Sequence, residues 1–346
     1  MTSESPIPTV DLTAFSSPST HSDADRLAAG QTFVAVLHRY GFAKVTGHGF
    51  TTDEINEAFG WNQRLFDLPY VDKMKAPHPP GPFPHRGYSG IDHYAAADTA
   101  SISTPSDGTA GSRKISDLKE SYEVGSANDD HEPNIWLPEA TLPGFRAYAT
   151  SLYERLSSVG SILLTAISVG LGLDPQEHDA LHQLASNRYS QLRLLHYPAI
   201  PQTRLAQDVV RTRMPAHNDW GAFTMLFQDG NGGLELQDPQ TGGFMRAQPE
   251  EGVLVMNVGD MLGRFTNDYF RSAVHRVAVP GVGVVPGETG VPARRSMPFF
   301  VGPEPSHTVA TLPRFVGAEN PGKYEPVRFD EYGALVSKYH YQVGNI

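Results

Sequence analysis

The sequence predicts an α+β fold in which a mainly β core is flanked by helices, and three observations support this prediction. Between residues 190 and 301, short apolar segments such as FTMLFQD and VLVMNVG alternate with Gly, Pro, Asn and Asp. Short strands with turn residues between them are typical of a sandwich, jelly roll or barrel. The 33 Gly and 28 Pro residues favour many turns over a helical bundle. Helical patterns precede and follow this region.

Two helical patterns open the chain. Residues 22–40 place Leu27 and three further apolar residues on one side, which predicts a helix. The segment GFAKVTGHGF follows and is typical of a strand that ends in a turn. Thr51 and Glu54 stand at the spacing of a capping box, so a second helix should begin there and end before Pro69.

A long loop and two further helices are predicted in the rest of the chain. Residues 93–116 are small and polar, which indicates a surface loop; loops of this length in compact proteins are usually functional lids or disordered. From Pro143 to Leu171, apolar residues recur at three- and four-residue steps, as in a helix packed in the core. The segment FDEYGALVSKYHYQV predicts a last helix.

Composition limits the classes of function. The formal net charge of −11 disfavours binding to the phosphate backbone of nucleic acids. The chain has no cysteine, so histidine and carboxylate side chains must hold any metal. No signal-peptide pattern opens the chain, and no apolar stretch reaches the ~18 residues of a membrane span. We therefore expect a cytoplasmic protein without a membrane or nucleic-acid partner, and no obligate protein partner is implied.

Three residues of the β-rich region could form one face of a metal site. His217 and Asp219, in HNDWGAF, would point to the same side of a strand because side chains alternate along strands. Among the 14 histidines, His275 is the best third ligand because it lies in another strand-like segment, YFRSAVHRVAV. About four strands fit between Asp219 and His275, which would return the chain to the first strand.

Two histidines and one carboxylate leave three positions of an octahedron open. This arrangement suits non-haem Fe(II) and the activation of oxygen. Taken alone, His217 and Asp219 leave a second interpretation open, which is a structural hydrogen bond without a metal.

The order of several motifs resembles the isopenicillin N synthase-like family of iron(II)/2-oxoglutarate-dependent dioxygenases. HND, the distant HRV and then RRS are the most specific of these motifs. IPTVDL, GFAKVTGHGF, LFDLPYVDKM and GYSG resemble the N-terminal region of the family. GGLELQD and VLVMNVGDML resemble its core strands, and KYEPVRFDEY its C-terminal segment. The resemblance runs from about Ile7 to about Tyr332, nearly the whole chain.

The resemblance implies a double-stranded β-helix, which is a jelly-roll core, and it implies roles for single residues. His217, Asp219 and His275 match the family's iron ligands. Arg294 and Ser296 match the pair that holds the distal carboxylate of 2-oxoglutarate. Tyr197, in LHYP, matches a tyrosine that often contacts this co-substrate. A guanidinium offers a bidentate fork to a carboxylate, and a hydroxyl adds a second donor, so the residue types suit that role.

The chain departs from the family pattern at two places. Many plant relatives have N-Y-Y-P where this chain has LHYP, so Leu195 replaces an asparagine that contacts the co-substrate. Leucine cannot donate that hydrogen bond. The 93–116 segment has no clear match in the family.

We expect one domain over residues 1–346, because no segment has the composition of a linker. Within this domain, residues 1–185 form a helix-rich part, residues 186–303 form the jelly-roll core with the metal site, and residues 304–346 form a C-terminal segment and helix. The core is the part that the function depends on.

The resemblance implies an oxygenase that uses Fe(II), 2-oxoglutarate and O₂ to oxidise a small organic molecule, such as a specialised metabolite. Hydroxylation, desaturation and ring closure are all compatible with the motifs. Two alternatives stay open at this stage. One is an oxidase of the same fold that does not use 2-oxoglutarate, and the other is a small-molecule binding protein without catalytic activity.

Overall fold

The computed structural model describes residues 7–80, 86–90, 119–186, 188–201, 212–279 and 290–341. The predicted 93–116 loop lies outside these residues. The helices are α1 Thr13–Ser16, α2 Asp23–Tyr40, α3 Thr52–Phe66, α4 Tyr70–Lys73, α5 Phe145–Leu171, α6 Pro175–His182, α7 Asp260–Phe265 and α8 Phe329–Tyr341.

Sixteen strands are formed by the described residues. They are β1 Thr9–Asp11, β2 Phe42–Thr46, β3 Gly87–Ser89, β4 Glu120–Val124, β5 Gln191–Tyr197, β6 Ile200–Pro201, β7 Thr212–His217, β8 Phe223–Gln228, β9 Leu234–Gln237, β10 Phe244–Arg246, β11 Leu254–Val258, β12 His275–Ala278, β13 Gly290–Val291, β14 Arg294–Val301, β15 Thr308–Val309 and β16 Val327–Arg328. The predicted combination of many short strands with flanking helices is confirmed.

Two sheets form the core. The larger sheet has eight strands in the order β1-β2-β11-β8-β14-β5-β4-β3, and the smaller has four in the order β10-β9-β12-β7. Met214 and Val277 of the smaller sheet pack with Leu195 and Tyr197 of the larger one, so these side chains fill part of the space between the sheets. Because β1 to β4 belong to the larger sheet, the helix-rich N-terminal part also supplies β structure to the core. The single-domain division stays a prediction.

The path of the chain between the two predicted metal-ligand strands matches the expectation. Four strands, β8 to β11, lie between β7 and β12. The chain then returns, and β12 pairs antiparallel with β7 so that His275 stands opposite His217. This pairing brings together two residues that are far apart in the sequence.

The N-terminal helices begin where the sequence predicts. Thr51 and Glu54 form the predicted capping box of α3, and a second capping box precedes α2. The predicted apolar side of α2 is only partly correct, because Phe33 and Leu37 are buried but Leu27 is 43% exposed. Leu27 lies in the second turn of α2, and its neighbour Arg26 stacks on Phe15 of α1.

Helix α5 is the central helix of the core. Its Gly160 faces Val301, Met225 and Phe223, so α5 lies against the outer face of the larger sheet. By length and composition it could cross a membrane, contrary to the sequence-based expectation that no stretch reaches that size. Twelve of its residues are nevertheless buried in the protein, as expected of a core helix.

Helices α2 and α5 touch through their backbones where two glycines meet. A Cβ atom added to Gly170 would lie 2.1 Å from the carbonyl oxygen of Gly30. A side chain therefore cannot be added at this crossing unless the helices move apart.

We expect Gly170→Ala to lower the free energy of unfolding by at least about 1–3 kcal/mol, the usual cost of overpacking a core. Gly60→Ala is the matched control, because Gly60 lies within α3 and no atom is within 4 Å of its added Cβ. It should raise stability by about 0.5–1 kcal/mol, since alanine is the better helix former. Chemical denaturation measures both values, and equal effects of the two variants would contradict the close crossing.

Candidate active site

Three side chains converge between the two sheets. His217, Asp219 and His275 each offer one ligand atom, and these atoms lie within 4.8 Å of one another. The Nε2 atoms of His217 and His275 are each 3.8 Å from a carboxylate oxygen of Asp219. This is the one group of three potential metal ligands that the described part of the chain contains.

The strand alternation predicted for His217 and Asp219 is wrong in detail. Strand β7 ends at His217, and Asp219 lies in the turn before β8. The main chain of this turn is held by α7, because the backbone N–H of Asp260 donates to the carbonyl oxygen of Asp219 at 2.9 Å. A turn, rather than one continuous strand, therefore brings the carboxylate beside the first imidazole.

The Asp219 carboxylate is oriented by two residues that the sequence analysis did not identify. Thr224 Oγ1 and Asn257 Nδ2 donate to Asp219 Oδ2 at 2.6 and 2.8 Å. Burial opposes ionisation of Asp219, but the two histidines and these hydrogen bonds outweigh it and lower its pKa. The carboxylate is therefore held in its charged form.

Backbone contacts orient both imidazoles. Nδ1 of His217 lies 2.9 Å from the carbonyl oxygen of Pro215, and Nδ1 of His275 lies 3.1 Å from that of Ala273. A carbonyl only accepts, so each Nδ1 carries a proton, and Nε2 is the nitrogen of each ring that can bind a metal. Burial, followed by the proximity of His275, lowers the pKa of His217 and favours its neutral form.

This set of donors fits iron(II). Two neutral imidazole nitrogens and one carboxylate oxygen are the ligands of the two-histidine, one-carboxylate face that leaves positions open for oxygen chemistry. The hydrogen bonds behind each ligand are those that metal sites use to fix the orientation of their ligands.

The predicted co-substrate residues also face the interior. Arg294 and Ser296 lie two positions apart on β14, and each is 1% exposed. The Nη1 atom of Arg294 donates to Ser296 Oγ at 2.9 Å. Tyr197 stands opposite Arg294 on β5, with its ring centroid 5.4 Å from the guanidinium carbon. Leu195 stands opposite Ser296, in the place of the family's asparagine.

Three polar residues next to these positions have partners within the protein. Arg295 lies 3.5 Å from Asp67, and His196 is bonded to Glu120 at 2.7 Å. Arg193 shares the inward face of β5 with Tyr197 and forms an ion pair of 2.9 Å with Glu123.

Asp260 links the turn that carries Asp219 to the C-terminal helix, a role that the sequence analysis missed. The hydroxyl of Tyr332, on α8, donates to Asp260 Oδ2 at 2.7 Å, and that of Ser272 donates to Oδ1 at 2.5 Å. Asn218, between the two ligands, donates to Ser272 at 2.9 Å. Nothing in the sequence near Asp260 identifies these partners, which are 12 and 72 residues away.

Models of two families match this chain. Residues 7–139 match the non-haem dioxygenase in morphine synthesis N-terminal family, and residues 182–303 match the 2OG-Fe(II) oxygenase superfamily. A 2-oxoglutarate-dependent dioxygenase from Dothideomycetidae sp. (strain 11243), frbA, is 35% identical over 95% of this chain and 94% of its own length. The chain belongs to the 2-oxoglutarate/Fe(II) oxygenase superfamily.

Other members of this superfamily are similar over most of their length. The proline hydroxylase buaE of Petromyces alliaceus is 39% identical over 85% of this chain and 87% of its own. A Neurospora crassa protein solved in complex with alpha-KG and thymine superposes with a TM-score of 0.79 and 28% identity, over 96% of both chains.

These comparisons confirm the fold and the class of reaction. The core is the double-stranded β-helix of 2-oxoglutarate oxygenases, and the enzyme uses Fe(II) and 2-oxoglutarate to oxidise a small molecule. His217, Asp219 and His275 form its metal triad. The 2-oxoglutarate-dependent oxygenase is therefore confirmed in preference to the oxidase and the binding protein.

We expect Thr224→Val to weaken iron binding by about 10- to 100-fold, the usual effect of removing a hydrogen bond to a metal ligand. Titration of the metal-free protein with Fe(II) under anaerobic conditions measures this affinity. Thr266→Val is the matched control, because Thr266 is also buried but bonds to the carbonyl oxygen of Leu262. Equal iron affinity in wild type and Thr224→Val would show that this hydrogen bond does not support the site.

Proposed function

We propose that this enzyme hydroxylates a small, polar, amino-acid-derived metabolite, and that Arg294, Ser296 and Tyr197 hold 2-oxoglutarate. The proposed binding of 2-oxoglutarate is supported by the buried Arg294–Ser296 pair, which faces the same interior as the metal triad. A buried guanidinium is costly unless an anion compensates it. The distal carboxylate of 2-oxoglutarate has the charge and the shape to do so.

Arg294, Ser296 and Tyr197 would each make a different contact with 2-oxoglutarate. The planar fork of Arg294 would bind the distal carboxylate with two hydrogen bonds, and Ser296 Oγ would donate a third. The Nε atom of Arg294 already donates to the carbonyl oxygen of Gly232 at 2.7 Å, which fixes the plane of the fork. The Tyr197 ring packs beside the guanidinium. When bound, iron supplies the redox chemistry that couples O₂ and 2-oxoglutarate to oxidation of the substrate.

Two observations support the substrate class. The inward face of β4 and β5 carries the ion pair of Glu123 with Arg193, and Ser121 Oγ donates to Glu123 at 2.8 Å. This surface, the wall formed by Glu123 and Arg193, offers one carboxylate and one guanidinium. Such a pair suits a substrate that has an amino and a carboxyl group. The similarity to a proline hydroxylase, buaE, agrees with such a substrate. A cytoplasmic location stays a prediction.

We expect Arg294→Ala to raise the KM for 2-oxoglutarate roughly 30- to 4,000-fold, since truncating one partner of a desolvated charge pair costs about 2–5 kcal/mol. Succinate release at a series of 2-oxoglutarate concentrations measures this change. Arg295→Ala is the matched control, because Arg295 faces the other side of β14 and pairs with Asp67. Turnover that needs no 2-oxoglutarate, or equal effects of both variants, would contradict the assignment.

We expect Glu123→Gln to raise the KM for the organic substrate by roughly 10- to 150-fold, the equivalent of losing one hydrogen bond to a charged group. The KM for 2-oxoglutarate should stay unchanged. Proline, other free amino acids and short peptides are screened first for those that stimulate succinate release and gain one oxygen atom. If no compound with an amino and a carboxyl group stimulates turnover, or if the substrate KM is unaffected, this wall does not recognise substrate.

A further inference from the structure

A second buried arginine lies beside Tyr197, on the opposite sheet from Arg294. Arg213 is in β7, four residues before the first metal ligand, and only 1% of it is exposed. Its guanidinium carbon is 5.8 Å from the centroid of the Tyr197 ring. The corresponding distance for Arg294 is 5.4 Å, so one ring has a guanidinium from each sheet close to it.

The hydrogen bonds of Arg213 use only one end of its guanidinium. Its Nη2 atom donates to the carbonyl oxygens of Pro292 and Pro198, at 2.5 and 3.3 Å. Its Nε and Nη1 atoms are buried and have no hydrogen-bond partner among the described residues. Within the same part of the chain, no carboxylate lies within ion-pair distance of Arg213.

The buried guanidinium groups of Arg213 and Arg294 repel each other unless an anion lies near both. Burial, followed by the proximity of Arg294, lowers the pKa of Arg213 to about 10, so the side chain is still charged at neutral pH. Asp229 exerts a weak attraction on both arginines, but its carboxylate accepts hydrogen bonds from the backbone of Arg295 and Asn231. An ionised group in such a place normally has a partner of opposite charge.

We propose that Arg213 is a second cationic contact for the distal carboxylate of 2-oxoglutarate. This inference rests on the proposed role of Arg294 and extends it. The carboxylate would lie between a guanidinium of the eight-stranded sheet and one of the four-stranded sheet, and would accept hydrogen bonds from both. Binding of 2-oxoglutarate would then join the two sheets, and the second cation would select dicarboxylates over 2-oxo acids that lack the distal carboxylate.

A purely structural role for Arg213 predicts different behaviour. Its bonds to Pro198 and Pro292 connect the end of β5 with the segment before β14, and losing them would affect every ligand of the site equally. Comparison of 2-oxoglutarate with 2-oxopentanoate separates the two roles, because 2-oxopentanoate keeps the 2-oxo acid end and has a methyl group in place of the distal carboxylate.

The experiment measures binding, without turnover, by calorimetry of the Mn(II)-loaded enzyme under anaerobic conditions. Arg213→Gln should bind 2-oxoglutarate at least about tenfold more weakly than wild type, as expected for a lost charged hydrogen bond. Arg213→Lys, which keeps the charge, should lose less. Neither variant should change the affinity for 2-oxopentanoate by more than about twofold, a factor that corresponds to a small fraction of one hydrogen bond. Arg295→Gln is the matched control and should bind both ligands as wild type does.

Each alternative result has one meaning. Wild-type affinity of Arg213→Gln for 2-oxoglutarate, with a loss in Arg294→Ala, would overturn the role of Arg213 and leave the proposed function intact. Equal losses for both ligands would also overturn it in favour of the structural role. Absence of 2-oxoglutarate binding in the wild type would overturn the proposed function together with this inference. If Arg213→Gln does not fold, the ratio of the two affinities in Arg213→Lys decides.

Discussion

The antiparallel pairing of β7 with β12 is the contact on which the metal centre depends. It places His275 opposite His217. The Cα atoms of two residues that face each other across an antiparallel ladder are about 4.5–5.5 Å apart. Because side chains alternate along a strand, a shift of the register by one residue would turn one imidazole away. The third ligand depends on the other sheet, since the Asp219 carboxylate is bonded by Thr224 of β8 and Asn257 of β11. The triad therefore forms only when the two sheets are packed together.

Buried charge is the second constraint on this fold. Asp219, Arg213 and Arg294 lie in the same interior, where each would be costly in isolation. The Asp219 carboxylate accepts two hydrogen bonds and lies beside both histidines. The two arginines have no carboxylate partner among the described residues, and the neutral groups around them satisfy only part of their N–H donors. This asymmetry is what one expects of an enzyme whose co-substrate is an anion, and it supports the proposed contacts of the two arginines.

Much of the site could be predicted because its chemistry is encoded in short motifs. His217, Asp219 and His275 were predicted from their residue types and from the number of strands that fit between them, and β8 to β11 confirm that count. Arg294 and Ser296, which the resemblance assigned to the co-substrate, lie two positions apart on a strand, so alternation puts them on one face, and both are buried. Thr224, Asn257 and Asp260 could not be found in this way, because their hydrogen bonds join separate elements: Thr224 and Asn257 bond to Asp219 in the turn before β8, and Asp260 bonds to Tyr332 of α8. The same holds for Leu27, which has the right periodicity for a buried position but is 43% exposed.

The sequence by itself determined the class of fold, the identity of the metal ligands and the family, because periodicity, turn residues and ligand motifs are local properties of a chain. Only the tertiary structure decided how these parts meet. It ended β7 at His217 and moved Asp219 into a turn, where a hydrogen bond from the start of α7 holds the backbone. It also brought Arg213 of one sheet and Arg294 of the other to the same tyrosine ring. The physical reason is that hydrogen-bond partners and burial depend on which strands pair and which sheets pack, and neither is a property of any single segment.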